Sequence, residues 1–206
     1  MDLWQYENEL YKDGIEFIGG VDEVGRGPLI GNVVSACCVL PKNFKLDGLT
    51  DSKKLSEKKR DKYYDYIIEN CIAYGIGKVS PEEIDKINIY EASRKAMMIA
   101  ISEVRKKINL EHVLVDAMPL PDLDIPSTSI IKGDAKSISI AAASVIAKVT
   151  RDREMYELDK KYPEYEFAKH KGYPTKKHIE AINKYGLIEG YRKTYGPVEK
   201  VLNENR

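Results

Sequence analysis

The sequence predicts an α/β protein in which a mixed β-sheet is flanked by helices. Residues 15–24 and 32–40 are rich in Val and Ile and lie on either side of a glycine turn, so we expect an antiparallel pair of strands. Farther along, strand-like segments alternate with helical ones, which is typical of a sheet with helices packed on it. The last fifth shows helical patterns only, which predicts a small C-terminal helical extension.

Each remaining element has a local signal in the sequence. Ser80, Pro81 and Glu83 form a helix start with an N-cap, and we expect a short helix there to give way to a long one. The predicted strands are residues 72–80, 112–117 and 129–133, and the predicted helices are residues 56–70, 89–108, 137–149 with a polar continuation, and 175–186, which ends at a glycine.

Composition limits the class of protein. The 206 residues are 43% hydrophobic and 32% charged, as in a folded globular chain, and fit one large domain, or one domain with an appendage. Lys plus Arg and Asp plus Glu number 33 each, so the formal net charge is +0. Any affinity for nucleic acid must therefore come from a local basic surface.

The cysteines and the apolar segments indicate where the chain resides. Cys37, Cys38 and Cys71 form no CxxC pair, and we expect them to be buried thiols of a protein that resides in a reducing compartment. The acidic start MDLWQYENELYKDG is not a signal peptide, and the longest uncharged run, residues 27–41, is too short to span a bilayer. We predict a cytoplasmic protein without membrane association.

Four acidic residues lie where strands or strand-to-helix turns end, and crevices beside strand ends are where α/β sheets bind ligands. They are Asp22, Glu23, Asp116 and Asp134. Converging carboxylates raise one another's pKa, and a divalent Mg²⁺ or Mn²⁺ ion would relieve that repulsion. Two such ions, roughly 3.5–4 Å apart, would clamp the attacking and leaving oxygens of a phosphodiester.

Other interpretations of these acids remain open. Neighbours on a strand point to opposite faces, so Asp22 and Glu23 share one ion only through a bulge, a strand end or the backbone carbonyl of Glu23. Asp116 also fits a turn former, and Asp134 also fits a helix cap. The pair at 22 and 23 lies beside an apolar strand, where charge needs a cation or strong donors.

A glycine turn and several basic segments suggest contact with phosphate or sugar. Gly25, Arg26 and Gly27 expose backbone N–H groups, although a simple tight turn is an equal alternative. GRGPLIG does not match GxGxxG, and the preceding acids would repel a pyrophosphate. In KHKGYPT, Tyr173 lies on a stiff turn among cations, which suits stacking on a sugar or base.

The other basic segments are residues 51–60 and the Arg192-Lys193 pair, and either also fits an ordinary solvated surface. We expect His112, His170 and His178 to be surface or supporting residues.

Taken together, these segments strongly resemble ribonuclease HII, the type 2 ribonuclease H of bacteria. The resemblance runs in family order from Gly19 to Ile182. The matching stretches are GGVDEVGRGPLIGNVV, DSKKLSEKKR, EIDKINIYEASRKAM, VLVDA, IIKGDAKSISIAAASVIAKVTRDREM and KYPEYEFAKHKGYPTKKHIEAI.

The resemblance implies an RNase H-like fold, with a catalytic domain at residues 1–160 and a helical extension at 161–206 that contributes to substrate binding. It implies a metal-dependent endonuclease that degrades the RNA of RNA/DNA hybrids and incises 5′ of ribonucleotides embedded in DNA. Two Mg²⁺ or Mn²⁺ ions would act in this hydrolysis, leaving 3′-hydroxyl and 5′-phosphate ends.

By position in the family's motifs, the acids Asp22, Glu23, Asp116 and Asp134 would be catalytic and hold the metal. The resemblance implies that Gly25, Arg26 and Gly27 read the ribose 2′-hydroxyl, which distinguishes RNA from DNA. It also implies that Tyr173 stacks on the following deoxyribose and that Lys53 and Lys54 lie near the nucleic-acid backbone.

Some features depart from this pattern or leave alternatives. The related ribonuclease HIII has GTG in place of GRG and an extra N-terminal domain, for which we expect no room before Ile15. The tail lacks the family's His-Arg pair at Tyr191-Arg192, and no clamp-binding peptide is evident, so we predict a monomer without an obligate protein partner. A catalytically silent nucleic-acid-binding module and, more remotely, a nucleotide-binding metabolic enzyme are the alternatives.

Overall fold

Five strands form a single mixed sheet. The computed structural model describes residues 2–49, 52 and 55–204. The strands are β1 (Ile18–Val24), β2 (Val33–Val39), β3 (Ala73–Val79), β4 (His112–Asp116) and β5 (Ser127–Ile130), in the spatial order β3-β2-β1-β4-β5. The first three pair antiparallel, whereas β4 and β5 extend the sheet in parallel with β1. The predicted mixed α/β sheet is confirmed.

Seven helices surround this sheet in the described part of the chain. They are α1 (Gln5–Lys12), α2 (Glu57–Asn70), α3 (Pro81–Arg105), α4 (Ile138–Lys161), α5 (Phe167–His170), α6 (Lys176–Tyr185) and α7 (Gly196–Glu204). None of the described helices combines the length and the apolar character needed to cross a membrane.

The two long helices lie on opposite faces of the sheet, and strand glycines let them approach closely. A Cβ on Gly20 would lie 2.0 Å from the backbone of Ser139 in α4, and one on Gly77 would lie 1.9 Å from the Ala96 carbonyl oxygen in α3. Helix α4 is buried around its first four turns, as its small apolar residues predict. Helix α2 packs beside α4 through Ile67.

Helix α3 contains the break that the sequence predicts between a short and a long helix. Asn88 has φ 69° and ψ 166°, which interrupts the helical backbone. Its side-chain Oδ1 accepts hydrogen bonds from the N–H groups of Tyr90 and Glu91, at 2.9 and 3.1 Å, and so caps the second half.

The second parallel strand ends earlier than predicted. We expected a strand over residues 129–133, but β5 is Ser127–Ile130 because its partner β4 ends at Asp116, which pairs with Ile130. Lys132 then adopts a left-handed conformation, and a 3₁₀ turn follows at Gly133–Ala135. Asp134 therefore lies on a turn between β5 and α4. Helices α1 and α7 were not predicted.

The C-terminal helices pack onto the loop between β1 and β2. Leu29 and Ile30 of that loop lie in one apolar cluster with Tyr165, Phe167 and Tyr191. The main chain reinforces this contact, since Leu29 N–H donates to the carbonyl of Gly172, at 2.8 Å. The predicted division at residue 160 falls near the end of α4 and stays a prediction.

Candidate active site at the ends of β1 and β4

The predicted acids lie at one edge of the sheet, and strand register explains why. Val21 pairs with Val115 in the parallel ladder, so Asp22 and Asp116 follow side by side. Ile18 lies four residues before Asp22, and Leu114 lies two residues before Asp116, so alternation sets them on the same face, where both contact Ile140 of α4. Asp22 and Asp116 therefore share the face that α4 covers.

The turn after β5 brings the fourth acid to the same edge. Gly133 N–H donates to Asp116 Oδ1 at 2.6 Å, which ties the turn that carries Asp134 to the end of β4. The N-cap of α4 is Ser137, whose hydroxyl accepts from Ile140 N–H, rather than Asp134. Asp134 is therefore not the N-cap of this helix, which removes that alternative interpretation.

The electrostatics of Asp22 show how close the acids lie. Burial is the largest cause that raises the pKa of the Asp22 carboxyl well above its usual value. The negative charges of Glu23 and Asp116, and then of Asp134, raise this pKa further. The backbone N–H of Glu23 donates to Asp22 Oδ1 at 2.7 Å and opposes the shift only in part.

Glu23 reaches this edge from the opposite face of the strand. Val21 lies two residues before Glu23 and therefore on the same face of the strand, and it contacts the core beside α3, as alternation requires. The Glu23 side chain lines two small cavities, of about 260 and 180 Å³, and Asp22 lines the first while Asp116 lines the second. Near the end of β1, the side chains of Asp22 and Glu23 thus both face the region of these two cavities.

The donor set fits a hard divalent cation, although it is not a preformed cage. In the described ranges, no three His, Cys, Asp or Glu side chains are arranged as a group that could hold a metal ion. The four acids nevertheless offer only oxygen ligands, and three of them raise the proton affinity of buried Asp22. A divalent cation relieves such repulsion and prefers such ligands.

The glycine turn has the close contacts that its composition predicts. Gly25 has φ +98°, and a Cβ there would lie 2.5 Å from Arg151 Nε, so only glycine fits. A Cβ on Gly27 would lie 3.2 Å from the Tyr173 ring. The Arg26 side chain is half exposed, with Nη1 3.8 Å from Glu23 Oε1. The turn, Tyr173 and the acids therefore form one continuous surface.

Arg192 is a structural element of this turn, and our prediction that it belongs to an exposed basic patch is wrong. The side chain is fully buried. Its Nη2 donates to the carbonyls of Gly25 and Gly31 at 2.7 and 2.8 Å, and Nη1 donates to the carbonyl of Arg26 at 3.1 Å. A guanidinium fixes several carbonyls at once because its donors form a rigid fork.

A second buried arginine, Arg151 of α4, was missed by the sequence analysis. It donates to the carbonyls of Ile30 and Asn32 in the β1–β2 loop, at 3.1 and 3.2 Å, and to the carbonyl of Lys171 at 2.9 Å. Arg151 thereby joins the loop after the glycine turn to the segment that carries Tyr173. No local pattern distinguishes it from the exposed charges that follow in α4.

Basic side chains line the larger cavity beside the acids. Its walls are Asp22, Glu23, Val24, Ser52, Arg60, Ser144, Lys148 and Tyr173. Arg60 Nη1 donates to the carbonyls of Ser52 and Leu55, so it holds the loop that precedes α2. Lys148 is the only charged residue in the apolar first half of α4, and Asp152 pairs with it at 2.7 Å.

Two predicted substrate-binding residues, Lys53 and Lys54, lie outside the described residues. Of the histidines, which we expected to be surface or supporting residues, His178 is fully buried and His112 is nearly so, and for these two only the supporting alternative remains.

Comparison with known proteins agrees with this architecture. The sequence model of the family described as ribonuclease HII matches residues 19–195. Ribonuclease HII of Bacillus cytotoxicus is 56% identical over 202 residues, which cover 98% of this chain and 77% of that protein.

Solved structures show the same fold. Ribonuclease H2 of Pyrococcus horikoshii superposes with a TM-score of 0.75 at 29% identity, over 91% of this chain and 98% of that one. The RNase HII of Archaeoglobus fulgidus, solved in complex with PCNA, superposes with a TM-score of 0.73 at 27% identity, over 87% and 95%. The chain belongs to the ribonuclease HII family, metal-dependent endonucleases of the ribonuclease H type.

Proposed function

We propose that this chain hydrolyses the RNA strand of RNA/DNA hybrids and incises duplex DNA on the 5′ side of an embedded ribonucleotide, as the first step of ribonucleotide excision. The products would carry 3′-hydroxyl and 5′-phosphate ends. The observation that carries the proposal is the gathering of acids around Asp22 beside the Gly25–Gly27 turn and Tyr173.

Asp22, Glu23, Asp116 and Asp134 would hold two Mg²⁺ or Mn²⁺ ions together with the substrate phosphate. Bound ions of this kind supply an activated water and neutralise charge on the phosphate and the leaving oxygen. Burial of Asp22 disfavours its negative charge until a cation arrives, so the site is suited to binding cations. The hydrogen bond from Gly133 N–H holds Asp116 at the end of β4.

Recognition of the ribose would belong to the glycine turn. Backbone groups of Gly25, Arg26 and Gly27 can approach a sugar closely because no Cβ lies at two of these positions. The 2′-hydroxyl both donates and accepts hydrogen bonds, so a fixed backbone can test for its presence. Arg151 and Arg192 supply that rigidity through the carbonyl contacts described above.

Tyr173 and the basic residues would place the flanking nucleotides. The Tyr173 ring is 39% exposed and adjoins Gly27, so it can stack on the sugar that follows the ribonucleotide. Arg60 and Lys148 line the cavity between this ring and the acids, where a backbone phosphate would meet positive charge. Lys53 and Lys54 would lie near the nucleic-acid backbone.

The test is incision of a labelled DNA duplex that contains one ribonucleotide, with an all-DNA duplex as control. We expect a single cut 5′ of the ribonucleotide with Mg²⁺ or Mn²⁺, none after chelation, and a product that a DNA polymerase extends. Equal cutting of the all-DNA duplex, or no cutting by pure protein, would contradict the proposal. Metal-independent binding without product would instead favour the silent binding module.

A further inference from the structure

We propose that His170 and His178 are positioning residues for substrate recognition: their stacked imidazoles hold the backbone at Gly172 and Tyr173 and so fix the Tyr173 ring against the glycine turn. This inference rests on the proposed function, because it assigns a role to the support of Tyr173.

The two rings form a stacked pair beneath the Tyr173 turn. Their centroids lie 4.2 Å apart with an interplanar angle of 13°. Phe167 of α5 contacts both rings edge-on, at 5.7 Å from His170 and 5.6 Å from His178. His178 is fully buried and His170 is half-buried, so the polar atoms of the pair need defined partners.

In each ring, the δ nitrogen forms a hydrogen bond with the Tyr173 turn, and the ε nitrogen forms one with a residue of a neighbouring segment. His170 Nδ1 accepts from Gly172 N–H at 3.1 Å, while Nε2 donates to the Tyr165 carbonyl at 2.7 Å. His178 Nδ1 donates to the Tyr173 carbonyl at 2.8 Å, and Nε2 accepts from the Tyr191 hydroxyl at 2.8 Å. The two histidines thus hold the N–H group of Gly172 and the carbonyl group of Tyr173.

This bonding pattern requires two neutral imidazoles of different tautomers. His170 must carry its proton on Nε2, because Nδ1 is an acceptor, and His178 must carry its proton on Nδ1. A second proton on His170 would remove the acceptor of Gly172 N–H, and a second proton on both rings would set two positive charges about 4.2 Å apart. Burial lowers the pKa of both rings, that of His178 to about 4, which favours the neutral pair.

The turn is held on its other side by the glycine loop. Leu29 N–H donates to the Gly172 carbonyl, and Arg151 donates to the carbonyl of Lys171. Lys171 has φ 53°, a left-handed conformation that costs free energy in a residue other than glycine and persists where surrounding contacts hold it. With the histidine side-chain contacts removed, the Tyr173 turn keeps the contacts with the glycine loop and two short-range main-chain bonds, from Tyr173 N–H to the His170 carbonyl and from Thr175 N–H to the Tyr173 carbonyl.

A double-mutant cycle tests the inference. We expect His178→Ala to lower kcat/KM for a single-ribonucleotide duplex about tenfold, as loss of one buried hydrogen bond predicts. We expect a smaller loss on a continuous RNA/DNA hybrid. Because His178 acts through Tyr173, adding His178→Ala to Tyr173→Ala should cause little further loss. Equal losses in both backgrounds would overturn the proposal.

Asparagine variants separate positioning from folding. Asn places an amide near the δ position, so His178→Asn keeps a donor for the Tyr173 carbonyl, and His170→Asn keeps an acceptor for Gly172 N–H. Both should retain most of the activity that the Ala variants lose, with melting temperatures measured in parallel. If His178→Ala does not fold, the comparison of His170→Ala with His170→Asn tests the proposal in its place. Asn variants as impaired as the Ala variants would refute the proposal.

Ring mobility gives a readout that does not need activity. Trp4 is the only tryptophan, so a Trp4→Phe, Tyr173→Trp background reports on position 173 alone. Adding His178→Ala should lower the fluorescence anisotropy and increase acrylamide quenching, whereas His112→Asn, on β4, should not. An unchanged signal would refute the positioning role even if the wild type cleaves. A changed signal in a protein that does not cleave would refute the proposed function alone.

Discussion

Replacing Arg192 with Ala removes a buried guanidinium whose three nitrogens donate to the carbonyls of Gly25, Arg26 and Gly31. The Arg26 carbonyl keeps the Tyr195 hydroxyl as a donor, at 2.7 Å, whereas the other two carbonyls lose charge-assisted bonds. At roughly 1.5–3 kcal/mol for each of these two carbonyls bonded to a charged group, the free energy of unfolding should fall by about 3–6 kcal/mol.

Urea unfolding measures this loss, and the melting temperature should fall by roughly 8–15 °C in a chain of this size. Lys193→Ala, at the adjacent exposed side chain, is the matched control and should change stability by less than about 0.5 kcal/mol. Arg192→Lys should lie between the two, since one ammonium cannot reach all three carbonyls. A loss for Arg192→Ala as small as that of the control would refute the structural role of the guanidinium.

Three further outcomes follow from the same geometry. In the absence of metal, Asp116→Asn should have the melting temperature of the wild type, because it removes a negative charge that repels the buried Asp22 carboxylate. The same variant should lower the rate of incision by at least about a hundredfold, and near-normal turnover would contradict the proposed metal-binding role of Asp116. Gly27→Ala should push the Tyr173 ring by a few tenths of an ångström and reduce the preference for ribonucleotide over all-DNA duplex, with a small change in melting temperature. Because the pKa of His178 is lowered in the fold, this residue contributes about 2 kcal/mol of stability above pH 6.5, and the contribution should disappear as the pH falls toward 4. The free energy of unfolding, measured at pH 7 and 4.5, should therefore depend less on pH in His178→Asn than in the wild type. Identical pH profiles for the two proteins would argue against this contribution.

The sheet and its acidic edge were predictable because their signals are local. Alternation along β1 and β4 sets Asp22 and Asp116 on one face, and a parallel register then makes them neighbours. Ser80 caps α3 through its hydroxyl, as its sequence context predicts. Such features depend on residues a few positions apart or on strand parity, both of which can be read without coordinates.

The support of the recognition turn was not predictable because its partners are distant in sequence. Arg192 contacts carbonyls more than 160 residues earlier, and nothing nearby distinguishes it from exposed Lys193. The end of β5 depends on where β4 stops, so Ile131 is 73% exposed although its sequence is apolar. In both cases burial is decided by the tertiary partner and not by the residue's own neighbours.

The dependence of the Gly25–Gly27 turn on Arg192 has a consequence for the order of events during synthesis. The acids of β1 can find β4 once residue 116 has emerged from the ribosome. The turn beside them waits for a guanidinium that is made more than 160 residues after the turn itself. A nascent chain would therefore assemble its acidic edge well before its glycine turn is fixed, and the sugar selectivity that we propose for this turn would mature after the proposed cation site.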